Sequence, residues 1–169
     1  MPSPRAKARP GEDDTVSRLT MDSPLGALTL SAENDAITGL DWSARAPDGP
    51  SRPTRLLARA ERQINAYFAG RLKDFDLPLA TSGTRFQQRV WKAIRAIPYG
   101  TTVSYGELAK KLRSAPRPVA GACGANPIPI IIPCHRVLGA GGRLHGYSGR
   151  GGILTKATLL YLEGVRASV

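Results

Sequence analysis

The chain predicts a mixed fold, with sheet and helix in its first part and helices after. Three observations carry this. Apolar residues alternate between Thr20 and Trp42, they recur at three- and four-residue spacing over 54–69, and two capping boxes open further helices from Thr84 onward. At 169 residues the chain suffices for one full-sized domain, or for a small domain beside a medium one. A hydrophobic content of 41% is enough to build a core.

Residues 1–17 are rich in proline and charge, lack periodicity and are expected to form a flexible tail. In SPLGALTLSAENDAITGLDW, Leu28 and Leu30, then Ile37 and Leu40, flank Glu33-Asn34-Asp35, which predicts a hairpin turning around Asn34. Residues 43–53 read as a loop. Leu56, Leu57, Ala60, Ile64, Tyr67 and Phe68 line a helix over 54–69, which Gly70 ends. DFDLPLA (74–80) alternates and predicts a short edge strand, where Pro78 is tolerated.

Thr84 with Gln87, and Ser104 with Glu107, have capping-box spacing. Phe86, Val90, Trp91 and Ile94 line the first of these helices, and Pro98-Tyr99-Gly100 breaks it. Leu108 and Leu112 face inward on the second. A short helix is expected between about Arg117 and Ala125, with Pro118 in its first turn and small residues (Ala120, Gly121, Ala122, Gly124) allowing close packing. This pair of helices fits a helix-turn-helix and, equally, any other helical hairpin. Pro127, Pro129 and Pro133 alternate with isoleucines, which predicts a buried extended segment that is not a central strand. A glycine-rich loop (139–152) and a helix over about 154–163, carrying Leu159, Leu160 and Leu162 and followed by Gly164, complete the chain.

The net charge of +11 is uneven: residues 1–50 balance to −3, 51–100 to +7 and 101–169 to +7. A polyanion, nucleic acid first, is the expected partner of such a surface; a high-pI protein without one is the plain alternative. No apolar run approaches the ~20 residues that span a bilayer, and the first residues hold no apolar stretch suited to a signal peptide. An intracellular, cytoplasmic protein is therefore expected. Two cysteines make no disulfide framework and fit a reducing compartment.

Cys134 follows an apolar run and a proline, with His135 and Arg136 beside it. Only a thiolate is a strong nucleophile, so a base or a positive field must supply it. Neighbours in an extended segment point opposite ways, so a water is the expected route from Cys134 to His135. A carboxylate would orient the imidazole. After residue 76 only Glu107 and Glu163 are available, and Glu163 sits near the end of an apolar helix, where a charge needs a reason. Against this, a free cysteine is often only a small buried hydrophobe, and a lone histidine is often structural. Cys123, Cys134, His135 and His145 show no CxxC or HxxxH spacing, so no metal and no cofactor are expected.

NPIPII (126–131) running into IPCHRV (132–137), with IPYGTTVSYGELA (97–109) and FQQRVWKAI (86–94) upstream and GYSG (146–149) downstream, resembles the O6-alkylguanine-DNA alkyltransferases, also called methylated-DNA–protein-cysteine methyltransferases. The resemblance runs from Met21 to Gly164. It implies an α/β plus α architecture: a ribonuclease-H-like small sheet with helices over 18–80, then a helical domain with the helix-turn-helix and active site over 84–169. It implies direct DNA repair, in which the alkyl group of O6-alkylguanine, and of O4-alkylthymine, moves irreversibly and once per molecule to a cysteine. The implied partner is double-stranded DNA, bound through the minor groove, with the damaged nucleotide flipped out. The implied protein is a monomer that binds DNA singly or cooperatively.

On the matching positions, Cys134 looks like the acceptor, His135 like the base acting through a water, and Glu163 like the carboxylate that orients it. Asn126 looks like the brace of the turn behind the recognition helix. Tyr105 looks like the phenol that donates to the guanine ring nitrogen. Arg117 looks like the finger that fills the space of the extruded nucleotide, and Tyr147 like a wall of the base pocket. The N–H of Ser148 would face O6, and the carbonyls of Cys134 and Val137 would accept from the exocyclic amine. Ala120, Gly121 and Gly124 would let the recognition helix approach DNA closely, and Arg136 would anchor the segment. Residues 105–117 are about two residues shorter than the family pattern, and Pro118 biases Arg117 away from helix, so Arg113 competes as the finger. GYSGRGGIL carries about two extra residues beside the pocket, Arg150 and Gly151 among them, which bears on the alkyl groups that fit. The N-terminal zinc ligands of some relatives have no counterpart here. A recognition module with an inert cysteine and a cysteine hydrolase using Cys134, His135 and Glu163 are the other classes; turnover (none, one or many) separates the three.

Overall fold

The computed structural model describes residues 16–43, 54–144, 147 and 152–166. An antiparallel sheet, β1 (Ser17–Met21), β2 (Leu28–Glu33) and β3 (Ala36–Asp41), runs in chain order. The β2–β3 turn falls where expected. Asn34 and Asp35 both sit at left-handed φ, 48° and 59°, as a two-residue turn of this hand requires. β1 is a strand the sequence reading missed, and it takes Ser17 out of the expected tail. Leu19 pairs with Leu30, and the hydroxyls of Thr20 and Thr29 meet at 2.9 Å. The rest of that tail, residues 1–15, lies outside the described residues.

Helix α1 (Arg55–Phe68) packs on this sheet. Thr54 caps it by accepting from the Leu57 N–H at 3.1 Å, and Gly70 closes it at φ 73°. The edge strand expected over 74–80 shrinks to one parallel bridge. Ile37 donates to the Pro78 carbonyl at 2.8 Å, and Ala80 donates back to Ile37 at 2.9 Å. Pro78 has no N–H to extend the ladder, while Asp76 is taken up by Arg59 and Gln63 of α1.

Helices α2 (Arg85–Arg95), α3 (Tyr105–Lys111), α4 (Pro116–Gly124) and α5 (Ile153–Leu162) follow, and both expected capping boxes form. The buried Trp91 indole of α2 donates to the Ala122 carbonyl at 2.8 Å, which ties α2 to the last turn of α4. α3 turns into α4 through Arg113 at φ 53°. Ser114 reaches back to the Ala109 carbonyl and Arg113 to the Lys110 carbonyl, the bond pair of a Schellman stop. Arg117 lies inside α4, contrary to the bias expected from Pro118. The first helical turn has no intrahelical N–H partners to lose, so Pro116 and Pro118 both fit there.

The proline–isoleucine segment is buried, as expected, but it is not extended. Ile132 donates to the Ile128 carbonyl at 2.9 Å and Ile130 sits at φ 72°, so the chain doubles back before Cys134. Two short parallel strands, β4 (Val103–Ser104) and β5 (Val137–Leu138), were not legible because two residues show no period. They tie the start of α3 to the chain just after Cys134. One core joins the sheet, α1, α2 and the isoleucine turn. Among the described residues no helix is long and apolar enough to cross a membrane.

Candidate active site

A cavity of about 820 Å³ opens where α3, α4 and the Cys134 segment meet; Tyr105, Arg117, Ala120, Cys123, Cys134 and Tyr147 are among its lining. Cys134 opens a single 3-10 turn, Cys134–Arg136, at the end of the doubled-back isoleucines. Asn126 holds that turn with both ends of its amide. Its Nδ2 donates to the Ile132 carbonyl at 2.8 Å and its Oδ1 accepts from the Ile128 N–H at 3.0 Å. This buried amide fixes the direction from which the thiol enters the cavity.

Behind the thiol stands a buried carboxylate. Glu163, at the C-cap of α5, faces the wrong end of a helix dipole and needs partners. It has them: His135 Nε2 at 2.6 Å, Arg136 Nε at 2.8 Å and Nη2 at 3.1 Å, the Tyr67 hydroxyl at 2.6 Å and the Gly100 N–H at 3.3 Å. Burial alone would raise the Glu163 pKa, but hydrogen bonds from His135 and Arg136 hold it down at about 2. Arg136 also donates to the Ile97 carbonyl at 2.7 Å, so it anchors the segment as expected.

This geometry fixes the imidazole tautomer. An ionised carboxylate only accepts, so Nε2 carries the proton toward Glu163. Full burial lowers the His135 pKa although Glu163 opposes this, so the neutral ring leaves Nδ1 with a free lone pair. Nδ1 is buried and has no hydrogen-bond partner among the described residues. No direct bond joins it to Cys134. The histidine is therefore oriented, neutral and open on one side, as a base acting through a small intermediary must be.

Burial pushes the Cys134 thiol up, while the Asn126 amide and the Lys156 ammonium pull it down. Lys156 is fully buried. It donates to the Tyr105 hydroxyl at 3.4 Å and lies 5.4 Å from that ring's centre. Burial lowers the Lys156 pKa, and the two thiols work against that. Tyr105, the first residue of α3, has its pKa raised by burial and then by the neighbouring thiols, so it remains a hydroxyl donor. Cys123 is pushed up to about 12, chiefly by burial, and stays a thiol.

Cys134, Tyr105, Arg117, Ala120, Gly124 and Tyr147 all line the cavity, as the sequence reading requires of a shared site. Arg113 and Gly121 do not line it. Val137 is buried in β5, outside the lining, and its N–H donates to the Cys134 carbonyl. Ser148, Arg150 and Gly151 lie outside the described residues. Sequence reasoning missed Lys156, Tyr67 and Gly100. Lys156 left a signal: it is the one cation in ILTKATLLYL and shares a face with Leu159 and Leu160. Tyr67 left none, because its hydroxyl tips an otherwise apolar stripe.

Two family models match the chain. The 6-O-methylguanine DNA methyltransferase DNA binding domain covers residues 85–165, and the ribonuclease-like domain of the same family covers 17–81. A methylated-DNA–protein-cysteine methyltransferase of Mycobacterium tuberculosis is 49% identical over 155 residues, covering 88% of this chain and 92% of that protein. The chain belongs to the methylated-DNA–protein-cysteine methyltransferase family. The constitutive methyltransferase of Bacillus subtilis is 41% identical over 156 residues, covering 86% of this chain and 94% of its own. Among solved structures, Mycobacterium tuberculosis OGT in complex with DNA superposes with a TM-score of 0.77 at 47% identity, covering 91% of this chain and 96% of that one. The Methanococcus jannaschii O6-methylguanine DNA methyltransferase superposes with a TM-score of 0.66 at 27% identity, covering 89% and 96%. The α/β-then-α architecture is that of this methyltransferase family, whose reaction moves a methyl group from DNA to a cysteine of the protein.

Proposed function

We propose that this chain repairs O6-alkylguanine, and O4-alkylthymine, by moving the alkyl group once and irreversibly to Cys134. One observation carries the reading: Cys134 lines a cavity roomy enough for a base, directly before a histidine whose Nε2 is pinned to a buried glutamate and whose Nδ1 has no hydrogen-bond partner among the described residues. The Cys134 proton passes through a bridging water to His135 Nδ1. The thiolate attacks the alkyl carbon in line, forming an S–C bond as the C–O6 bond breaks. Tyr105 donates its hydroxyl proton to a ring nitrogen, so guanine leaves neutral, and Lys156 steadies the phenolate that remains. The product thioether is stable, so the molecule acts once.

The lesion is hidden in a duplex, so its nucleotide must swing into the cavity; a damaged, poorly paired base costs less to extrude. Arg117, on the cavity lining, is favoured over Arg113 as the finger that takes its place. Ala120 and Gly124, one helical turn apart on the same lining, suit close approach of α4 to a minor groove. Phosphate contacts from the basic residues after residue 50 supply affinity without sequence preference. The reading keeps a two-part chain, 18–80 and 84–169, supported by the family models over 17–81 and 85–165. It also keeps a monomer, and an intracellular site, the latter supported by two free thiols.

The test is a titration of a duplex bearing one O6-methylguanine with increasing protein. The expected result is one repaired lesion per molecule and no more. Many lesions per molecule would indicate a hydrolase, and tight binding without repair would indicate a recognition module.

A further inference from the structure

The wall of the cavity is held from the opposite part of the chain. Trp42, just past the end of β3, packs edge-on against Tyr147, with ring centres 6.2 Å apart and planes at 72°. Tyr147 lines the cavity. Its hydroxyl and the Trp42 indole N–H are both buried, and neither has a hydrogen-bond partner among the described residues. Among the described residues no polar bond fixes the Tyr147 ring. Packing is what places it, edge-on against Trp42 and over the main core. The same strand reaches the other side of the site, because Leu40 of β3 donates to the Pro127 carbonyl at 3.0 Å, at the entrance to the turn that carries Cys134. One strand end thus braces both the nucleophile's segment and the facing wall.

We infer that Trp42 is a positioning residue for alkyl transfer: its contact with Tyr147 sets the spacing between the pocket wall and Cys134, and with it the size of alkyl group the site accepts. The inference rests on the proposed reaction. A wall held by packing alone moves when its neighbour is cut back, and misplacement by about 1 Å at a reacting centre costs on the order of 100-fold in rate. A small group, which needs the wall to press its carbon against sulfur, suffers more than a bulky group that fills the gap itself.

The test compares two duplexes of one sequence, carrying O6-methylguanine or O6-benzylguanine, under single-turnover conditions. The limiting rate and the half-saturating DNA concentration are read separately. Trp42→Ala is expected to lower the methyl limiting rate roughly 10-fold and to shift the methyl-to-benzyl ratio toward benzyl, with half-saturation little changed. Trp42→Phe, which keeps an aromatic edge, is expected to restore most of the ratio. In a Tyr147→Ala background, Trp42→Ala should shift the ratio no further, because the effect passes through Tyr147. A ratio equal to wild type in Trp42→Ala, or a further shift without Tyr147, overturns the inference. Should Trp42→Ala not fold, Trp42→Leu replaces it with the same expectations. If the wild-type protein repairs neither duplex, the proposed function fails and the inference with it, an outcome distinct from an unchanged ratio in an active Trp42→Ala protein.

Discussion

The two ends of the site are built on opposite principles. Around Glu163 every charge has a partner: one buried carboxylate takes hydrogen bonds from Tyr67, Gly100 and the neighbouring His135 and Arg136, drawn from three places in the chain. Around Cys134 the thiol and the Tyr105 hydroxyl face an open cavity with Lys156 buried behind them, and burial works against ionisation of both Cys134 and Lys156. The contrast teaches a division of labour. The carboxylate end is already fully bonded within the fold, while on the proposed reaction the thiol end is completed only when a base enters and excludes water.

The sharpest way to break the comparison is to remove the thiol. Cys134→Ser should abolish alkyl transfer while leaving the melting temperature nearly unchanged, measured by lesion assay and calorimetry together. Next comes the other end. Glu163→Gln leaves the buried Arg136 without its counter-charge, so it should destabilise the protein by ~3–5 kcal/mol and slow transfer by two orders of magnitude or about that. Denaturant unfolding and single-turnover kinetics would check both.

The pH dependence follows from the same asymmetry. The Glu163 carboxyl is depressed to about 2, against an ordinary value of ~4.3. Its contribution to stability is complete above the ordinary value and is lost as pH falls through the folded one. His135, also depressed, adds a loss that begins as pH falls below its ordinary ~6.5. An acid titration of the unfolding free energy should show both limbs, and Glu163→Gln should lack the lower one.

At the thiol end, Lys156→Met removes a cation that favours the Cys134 thiolate. Transfer should slow by ~10-fold, and the rising limb of its pH profile should move to higher pH, with the relay intact. A profile that keeps its position would separate Lys156 from the thiol. Tyr67→Phe removes one of the bonds to Glu163 and should cost ~1–2 kcal/mol of stability with only a few-fold loss of rate. The smallest effect is at Arg113. Its left-handed φ suits glycine, so Arg113→Gly should stabilise by up to ~1 kcal/mol and leave repair largely intact, whereas Arg117→Ala should impair it.

The same contrast explains what could be read from the chain. Capping boxes at Thr84 and Ser104, the Asn34-Asp35 turn and the closing glycines are local chemistry and are written in neighbouring residues. The thiol, its histidine and its brace share one short segment, so the resemblance of that segment carried them. The partners of Glu163 are dispersed: Tyr67 lies 96 positions away and meets it only in the folded chain. Nothing in a local window distinguishes that hydroxyl from those of other core tyrosines. The isoleucine turn was misread because prolines forbid a strand without saying which way the chain goes instead. The Asn126 amide decides that, and its bonds reach two and six residues ahead. Pro118 put the aim of Arg117 in doubt, but the pre-proline bias is weak where a helix is just beginning, and Arg117 lies in the first turn of α4.

The most direct test uses Cys123, which shares the cavity with Cys134 but lacks the Asn126 amide that favours a thiolate at Cys134. After mixing the protein with a duplex carrying one O6-methylguanine, the intact mass and the digest would be measured. The expected result is one added methyl, ~14 Da on the nucleophile, on Cys134 alone, and none in Cys134→Ser. A methyl group on Cys123, or one that persists in Cys134→Ser, would contradict it.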